Sequence, residues 1–374
     1  MRKAGLIVGL VVMAFALAFA GVASAQTINW KGQSTWTASD FHQNDPKGVV
    51  EKIEAMAGGR LKINMQAAGA IVPAFEVLDA VHKGILDIGN GWPGYWYGKH
   101  PAATLFASVP GGPFGMNEQD FMAWYYLAGG QELYNELLQK ELKMNVVAFA
   151  SYSETPEPLG WFKGPVKDVK SFRGLKFRAG GMSAEVFKAM GMTVVTLPGG
   201  EIVPALERGV IDAAEYSDPS SDMSVGFADV RKFYHMPSVH QPTGIMEILV
   251  NKAKWDALPA DLKAVIENAC QAMALKFVLM MLDQNSKDLR TLVDKKGVTV
   301  VETPRDIMQE ILLAWDKVAD KYVKENPFFA KVYASQKAFA ERIVPYRLVA
   351  HPPYDIAAEH YWGKANLYKV QKPK

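Results

Sequence analysis

Arg178 closes a short strand, Leu175-Lys-Phe-Arg178, and Ala179-Gly180-Gly181 follows it. A guanidinium at a strand's carboxyl end, beside glycines that admit a ligand to the backbone, suits a carboxylate held by two parallel hydrogen bonds. The same position suits an Arg paired with a neighbouring acid at the surface. Glu215, within Ala213-Ala-Glu215-Tyr216-Ser-Asp218, ends a second short apolar stretch and reads as a ligand-facing or a solvated carboxylate. The string Gly89-Asn-Gly91-Trp-Pro-Gly94 has the spacing of a dinucleotide turn. Such a turn must open a helix whose N-terminus holds the pyrophosphate, whereas Pro93 and Tyr95-Trp96-Tyr97 lead on to Gly98, His100 and Pro101. It reads instead as an aromatic loop at a strand's carboxyl end, where open α/β sheets bind ligands. The seven histidines lack the helical pairing of zinc sites, and no Gly-x-Ser-x-Gly elbow is present. The single cysteine, Cys270, lies in an apolar helical stretch that suits a buried thiol, and it precludes a disulfide within the chain. Catalysis has no clear carrier.

The elements that must position these residues are written twice. Ala80-Val-His-Lys-Gly84-Ile-Leu-Asp87-Ile-Gly89 and Ala205-Leu-Glu-Arg-Gly209-Val-Ile-Asp212-Ala-Ala214 lie 125 residues apart. Each reads as a helix end, a basic residue in the last turn, a glycine cap, then a short buried strand bearing an Asp. Two copies predict two lobes of related build facing each other across a cleft. Strands are expected at Ile28–Thr35, Leu61–Met65, Ile85–Ile88, Val146–Ala150, Gly174–Arg178, Thr193–Thr196, Val210–Ala214 and Glu247–Asn251, with helices between them. This alternation argues a mostly parallel sheet covered by helices in each series. After Pro259 the pattern turns to long helices, Ala260 to Lys295, Pro304 to Lys324 and Pro327 to Arg342. The first of these exceeds the width of one small domain and is expected to lie across both lobes. In the last, Phe328, Phe329, Val332, Tyr333, Phe339 and Ile343 fall on more than one side, which predicts a second packing surface against another subunit.

Arg2 and Lys3, an apolar run from Gly5 to Ala20 and the ending Ala23-Ser-Ala25 read as a cleaved secretory signal, residues 1–25, and so as export to the periplasm. No later segment is read as apolar over a membrane-spanning length. Without Arg2 and Lys3 the chain carries 39 basic and 39 acidic residues, a balance that steers toward neither nucleic acid nor an anionic membrane.

The signal segment, the strand ending in Arg178, Leu197-Pro-Gly-Gly200-Glu201-Ile202, the unit from Ala205 to Glu215 and the long helices resemble the substrate-binding proteins of TRAP (tripartite ATP-independent periplasmic) transporters. The resemblance covers essentially the whole chain after the signal. Ile211-Asp-Ala-Ala-Glu215-Tyr216, Gly98-Lys-His-Pro101 and the extra C-terminal helix are similar to the branch that binds 2-oxo and 2-hydroxy monocarboxylates such as pyruvate and lactate. The resemblance implies an α/β, two-lobed periplasmic-binding-protein clamp, type II-like, with long connecting helices. Lobe I would comprise 26–149 and about 243–275, lobe II 150–242 and about 276–325, with 326–374 as a dimerising helix and tail.

It further implies that Arg178 grips the carboxylate and that a cation bridges ligand and protein. Glu215, the backbone around Tyr216 and Glu157 would hold that cation. Ser153 and Glu157 stand where relatives often carry Asn and Gln. Glu157 adds a negative charge, and two carboxylates in a partly dry cleft are offset better by a divalent, oxygen-seeking ion than by Na⁺, so Ca²⁺ is expected ahead of Na⁺. Tyr95, Trp96 and Trp161 are candidates for the cleft wall or for plain core packing. The implied partners are a small organic acid, TRAP membrane subunits and a second copy of the chain. A small sulfonate, a longer or aromatic acid, an exported enzyme acting on a carboxylated substrate and a sensor subunit are the alternatives.

Overall fold

The repeated phrase folds the same way twice in the computed structural model, which describes residues 27–363 and 370–372. The amides of Ile85 and Leu86 bond back to the Ala80 carbonyl at 2.9 and 3.1 Å, and those of Val210 and Ile211 to the Ala205 carbonyl at 3.0 and 3.4 Å. Gly84 and Gly209 sit at φ 71° and 70°, where a side chain would be strained. Each Asp then ties its unit to the neighbouring strand: Asp87 Oδ2 accepts from the Lys31 amide at 2.8 Å, and Asp212 Oδ2 from the Lys176 amide at 3.2 Å. The back-bonded residues are still closing the helix, so the strands expected from Ile85 and Val210 begin only at Ile88 and Ala213. The expected signal segment lies outside the described residues.

In chain order the strands are β1 (Ile28–Ser34), β2 (Leu61–Gln66), β3 (Ile88–Gly91), β4 (Val146–Ser153), β5 (Gly160–Phe162) and β6 (Lys176–Arg178). There follow β7 (Thr193–Val195), β8 (Ala213–Ala214), β9 (Phe233–Met236), β10 (Ile245–Asn251) and β11 (Thr299–Glu302). One sheet runs β2-β1-β3-β10-β4 and the other β11-β9-β5-β8-β6-β7. Within them β1, β2 and β3 are parallel, as are β6, β7 and β8, while β10 and β5 run against their neighbours. The chain therefore passes between sheets after β4, after β9 and after β10. Segments 154–159 and 237–244, the first two passages, lie side by side: the Glu154 amide donates to the Gly244 carbonyl at 3.1 Å and the Glu157 amide to the Gln241 carbonyl at 3.0 Å.

The third passage includes the helix Ala260–Asp294, 35 residues long. Leu262, Ile266, Cys270, Met273 and Phe277 pack with Trp30, Val49 and Ile53 behind the first sheet, and Leu292 packs with Leu206 and Trp161 in the second. The thiol of Cys270 is buried, as its sequence context predicted. Contrary to the expectation that no later segment could span a membrane, this helix is long and apolar enough to do so by length and composition alone: an 18-residue stretch of it has a mean hydropathy of 1.5. Its apolar content serves two cores and leaves Leu275, Leu279 and Leu282 exposed.

The helix Pro327–Ala350 corrects a second expectation. Phe328, Phe329 and Val332 are buried in the chain's own core, and Tyr333, Phe339 and Ile343 pack against it. Their several-sided pattern arises because the helix lies among helices Arg305–Glu325, Glu118–Leu127 and Thr104–Ala107, so no subunit is needed to cover them.

Two buried acids beside β3 make stability depend on pH. Asp45 accepts from Asn90 Nδ2 at 2.9 Å and Ser151 Oγ at 2.7 Å, and Glu247 from Trp96 Nε1 at 2.6 Å. Burial outweighs these bonds and pushes each carboxyl up to about 7. A carboxyl raised in the folded state contributes stability that is full below its unfolded value near 4 and is lost as pH rises through about 7. Each group adds a slope approaching about 1.4 kcal/mol per pH unit in that window. Thermal melts of the ligand- and metal-free chain should show Tm falling between pH 5 and 8, and Glu247→Gln should flatten the fall. A Tm independent of pH over that range would contradict the burial of both acids.

Candidate functional site

The strand ends and the paired crossing segments converge on one small pocket. β6 delivers Arg178 and β8 runs directly into Glu215, Tyr216 and Ser217. The loops after β1 and β3 supply Trp36 and His42, and Trp92 and Tyr95. The crossing segments supply Glu154, Glu157 and Gln241. Hydrogen bonds shut the cavity from sheet to sheet. His42 Nε2 lies 2.7 Å from Ser217 Oγ and its Nδ1 2.6 Å from the Tyr152 hydroxyl. The Tyr216 hydroxyl donates to Asp40, and the Phe41 amide to Ser224 Oγ at 3.2 Å.

Arg178 is 2 % exposed and well anchored. Its Nε and Nη2 donate to the Leu197 carbonyl at 3.0 and 2.8 Å, and Nη1 to the Glu215 carbonyl and Oε2 at 3.1 and 3.0 Å. These four bonds leave one Nη2 N–H for an incoming anion, so the two-pronged grip expected from position alone requires Glu215 to yield its bond. The guanidinium also lies 5.6 Å from the centre of the Tyr216 ring. Burial works to lower its proton affinity, but the charges of Glu215 and its neighbours outweigh burial and hold it cationic.

Three carboxylates share this pocket with the one guanidinium. Glu215 is raised by burial, with Arg178 and the Gly180 amide opposing. Glu157 is raised well above the usual range by burial, then by Glu215 and Glu154. Glu154 is raised likewise by burial and Glu215. His240, pushed down to about 3 by burial, is neutral. Donor atoms of Glu157, Glu215 and His240 lie within 4.8 Å of one another. Glu157 Oε2 and His240 Nε2, 3.6 Å apart, have no hydrogen-bond partner. Buried, unpartnered acceptors converging in this way fit a cation.

Of the residues expected to form the site, Arg178, Glu157, Glu215, Tyr216 and Tyr95 all line the cavity. Trp96, Trp161 and Ser153 do not. The Trp96 indole turns toward Glu247, and Trp161 stacks on Tyr234 with ring centres 4.0 Å apart while its Nε1 donates to Asp222 at 2.7 Å. Each indole N–H thus has a buried acid in the core, which draws the ring away from the cleft. Ser153 Oγ pairs with Thr243 Oγ1 at 3.1 Å and ties the end of β4 to the returning segment. The Tyr216 side chain is committed to Asp40, leaving only its backbone for the role expected of it. Sequence reasoning missed Glu154, His42 and His240. His42 follows the carboxyl end of β1, a place where ligand residues are expected. His240 is 83 residues from Glu157 and 25 from Glu215, a separation no spacing rule covers.

The profile of the bacterial extracellular solute-binding proteins, family 7 (DctP), matches residues 33–326. A monocarboxylate 2-oxoacid-binding periplasmic protein of Nostoc sp. is 31 % identical over 89 % of this chain and 90 % of its own. A TRAP transporter solute-binding protein of Bordetella bronchiseptica, a mixed-occupancy dimer with calcium and picolinate, superposes with TM-score 0.83 at 27 % identity, covering 90 % of this chain and 97 % of that one. One from Pseudoalteromonas atlantica, with sodium and pyruvate, gives 0.82 at 26 %, covering 90 % and 100 %. Two lobes facing across an enclosed cleft, an Arg at its centre and a match over most of the chain converge: this chain belongs to the family 7 (DctP) extracellular solute-binding proteins and is a TRAP transporter solute receptor.

Proposed function

We propose that this receptor closes on a small 2-oxo or 2-hydroxy monocarboxylate, such as pyruvate or lactate, releases it unchanged to TRAP membrane subunits, and works in the periplasm after loss of residues 1–25. The observation that carries the reading is the buried Arg178, with one N–H still unspent, lining a small pocket where the two sheets meet. Arg178 offers the carboxylate its remaining N–H, and Glu157, Glu215, His240 and the Tyr216 backbone hold a bridging cation, which supplies the positive charge that two buried carboxylates and an anionic ligand lack. Ca²⁺ is favoured over Na⁺ on that charge balance. The imidazole of His240 is a donor that suits Zn²⁺ better than Ca²⁺, so the test includes both. The passages of the chain between sheets support lobes close to 26–149 with about 243–275 and 150–242 with about 276–325, except that β4 keeps 150–153 in the first. The exposed Leu348, Val349, Ile356 and Trp362 support a homodimer through the C-terminal helices. Picolinate in the Bordetella protein favours a small aromatic acid as the second reading.

The test is a thermal shift of the chelator-treated chain with small acids, with and without Ca²⁺, Na⁺ or Zn²⁺. A large shift is expected only when acid and cation are both present, through binding linkage. Glu157→Gln should weaken cation affinity at least roughly tenfold, since loss of even an outer partner of a metal ligand costs about 10–100-fold. Full stabilisation by an acid in chelator would remove the cation from the scheme. Conversion of the acid during prolonged incubation would make the chain an enzyme instead.

A further inference from the structure

Glu154 has no assigned part in this scheme, yet it is the least satisfied group in the cavity. It is 3 % exposed, it lines the space beside Arg178, and neither of its carboxylate oxygens has a hydrogen-bond partner. It stands outside the Glu157–Glu215–His240 cluster of possible cation donors among the described residues. The neighbouring side chains leave it unanswered. The guanidinium of Arg178 spends four of its five N–H groups on Glu215 and the Leu197 carbonyl, the two ring nitrogens of His42 face Ser217 and Tyr152, and the indole N–H groups of Trp36 and Trp92 and the amide of Gln241, which line the same space, do not bond to it. Its position is fixed by the backbone, whose amide at Glu154 donates to the Gly244 carbonyl at 3.1 Å. A buried carboxylate without a partner is disfavoured, so the fold retains it at a standing penalty.

We infer that Glu154 is a specificity-determining residue that accepts a hydrogen bond from a donor carried by the ligand, selecting small acids bearing a hydroxyl or ammonium group over the same acids bearing a bare oxo group. This deepens the proposed function and rests on its carboxylate reading. A ligand donor supplies the missing partner on closure, while an oxo oxygen set against Glu154 brings two acceptors together with no hydrogen between them. Burial and the charge of Glu215 raise the Glu154 carboxyl in the ligand-free site, and a hydrogen bond from a ligand donor favours its ionised, accepting form.

The test is calorimetric titration of the whole chain after the signal, in Ca²⁺ buffer at neutral pH, with L-lactate, L-alanine and pyruvate. Lactate or alanine should bind at least about tenfold more tightly than pyruvate. Which of the two leads tells hydroxyl from ammonium. In Glu154→Gln, whose amide can donate to an oxo group, the preference should narrow to within about threefold, with the ligand-free Tm unchanged or higher because a carboxyl that burial disfavours in its charged form has become a neutral amide. Equal or tighter binding of pyruvate to the wild type would overturn the inference alone, since it would mean that Glu154 carries its own proton and donates. A lower ligand-free Tm in Glu154→Gln with unaltered preference would make the residue structural, and also overturn it. Failure of all three acids to bind the wild type would overturn the carboxylate reading and the inference together.

Discussion

Arg178→Ala is expected to weaken binding of any small carboxylate by roughly 2–5 kcal/mol, the usual cost of truncating one side of a buried charge pair. At the upper end that removes detectable binding at millimolar ligand. The guanidinium does two jobs, holding Glu215 and the Leu197 carbonyl in place while presenting its last N–H to the ligand. Its loss therefore also strands Glu215, which will take up a proton. Arg178→Lys separates the roles. It keeps the charge but cannot reach two acceptors with a planar fork, so binding should fall even where circular dichroism shows the fold intact. Isothermal titration of both variants checks the prediction, and wild-type affinity in Arg178→Ala would remove Arg178 from the ligand's carboxylate.

Gly244→Ala should cost stability on a scale rarely seen for one methyl group, about 4 kcal/mol or more. A Cβ at residue 244 would sit 1.0 Å from the Ala107 carbonyl oxygen and 2.1 Å from its carbon. No rotamer change relieves a clash with backbone, so the two segments must separate. Gly244 starts the return of the chain into the first sheet, and its carbonyl receives the Glu154 amide. The separation would thus loosen both crossing segments and the glutamates they carry. Urea denaturation should show a much lower midpoint or no folded baseline. A variant with an unchanged midpoint would mean that these backbones do not approach so closely.

Most of the frame is legible in the residues because it is local. A glycine cap after a helix, an Asp before a buried strand and an apolar run of strand length are each set by neighbours in sequence, and both copies of the repeat formed as read, shifted by the residues that close each helix. Arg178 and Glu215 were legible for the same reason, since a strand's carboxyl end in an α/β lobe points at the cleft. The repeated unit, the helical order and the candidate guanidinium are thus what the sequence by itself determined.

What only the tertiary structure decided is which side chains share the cavity and which apolar faces remain outside. Trp96 and Trp161 look like Tyr95 in sequence, but buried partners at Glu247 and Asp222 claim their N–H groups, and those partners come from other strands and helices. Phe328 to Ile343 looks like an interface until the helices Arg305–Glu325 and Glu118–Leu127 close on it. Glu154 and His240 enter the site because two crossing segments, more than 80 residues apart, pair side by side between the sheets. Burial then converts that pairing into chemistry. Carboxylates that would be ordinary in water become unpaired acceptors when the cavity excludes it, because desolvation depends on what packs around a group and not on the residues beside it in the chain.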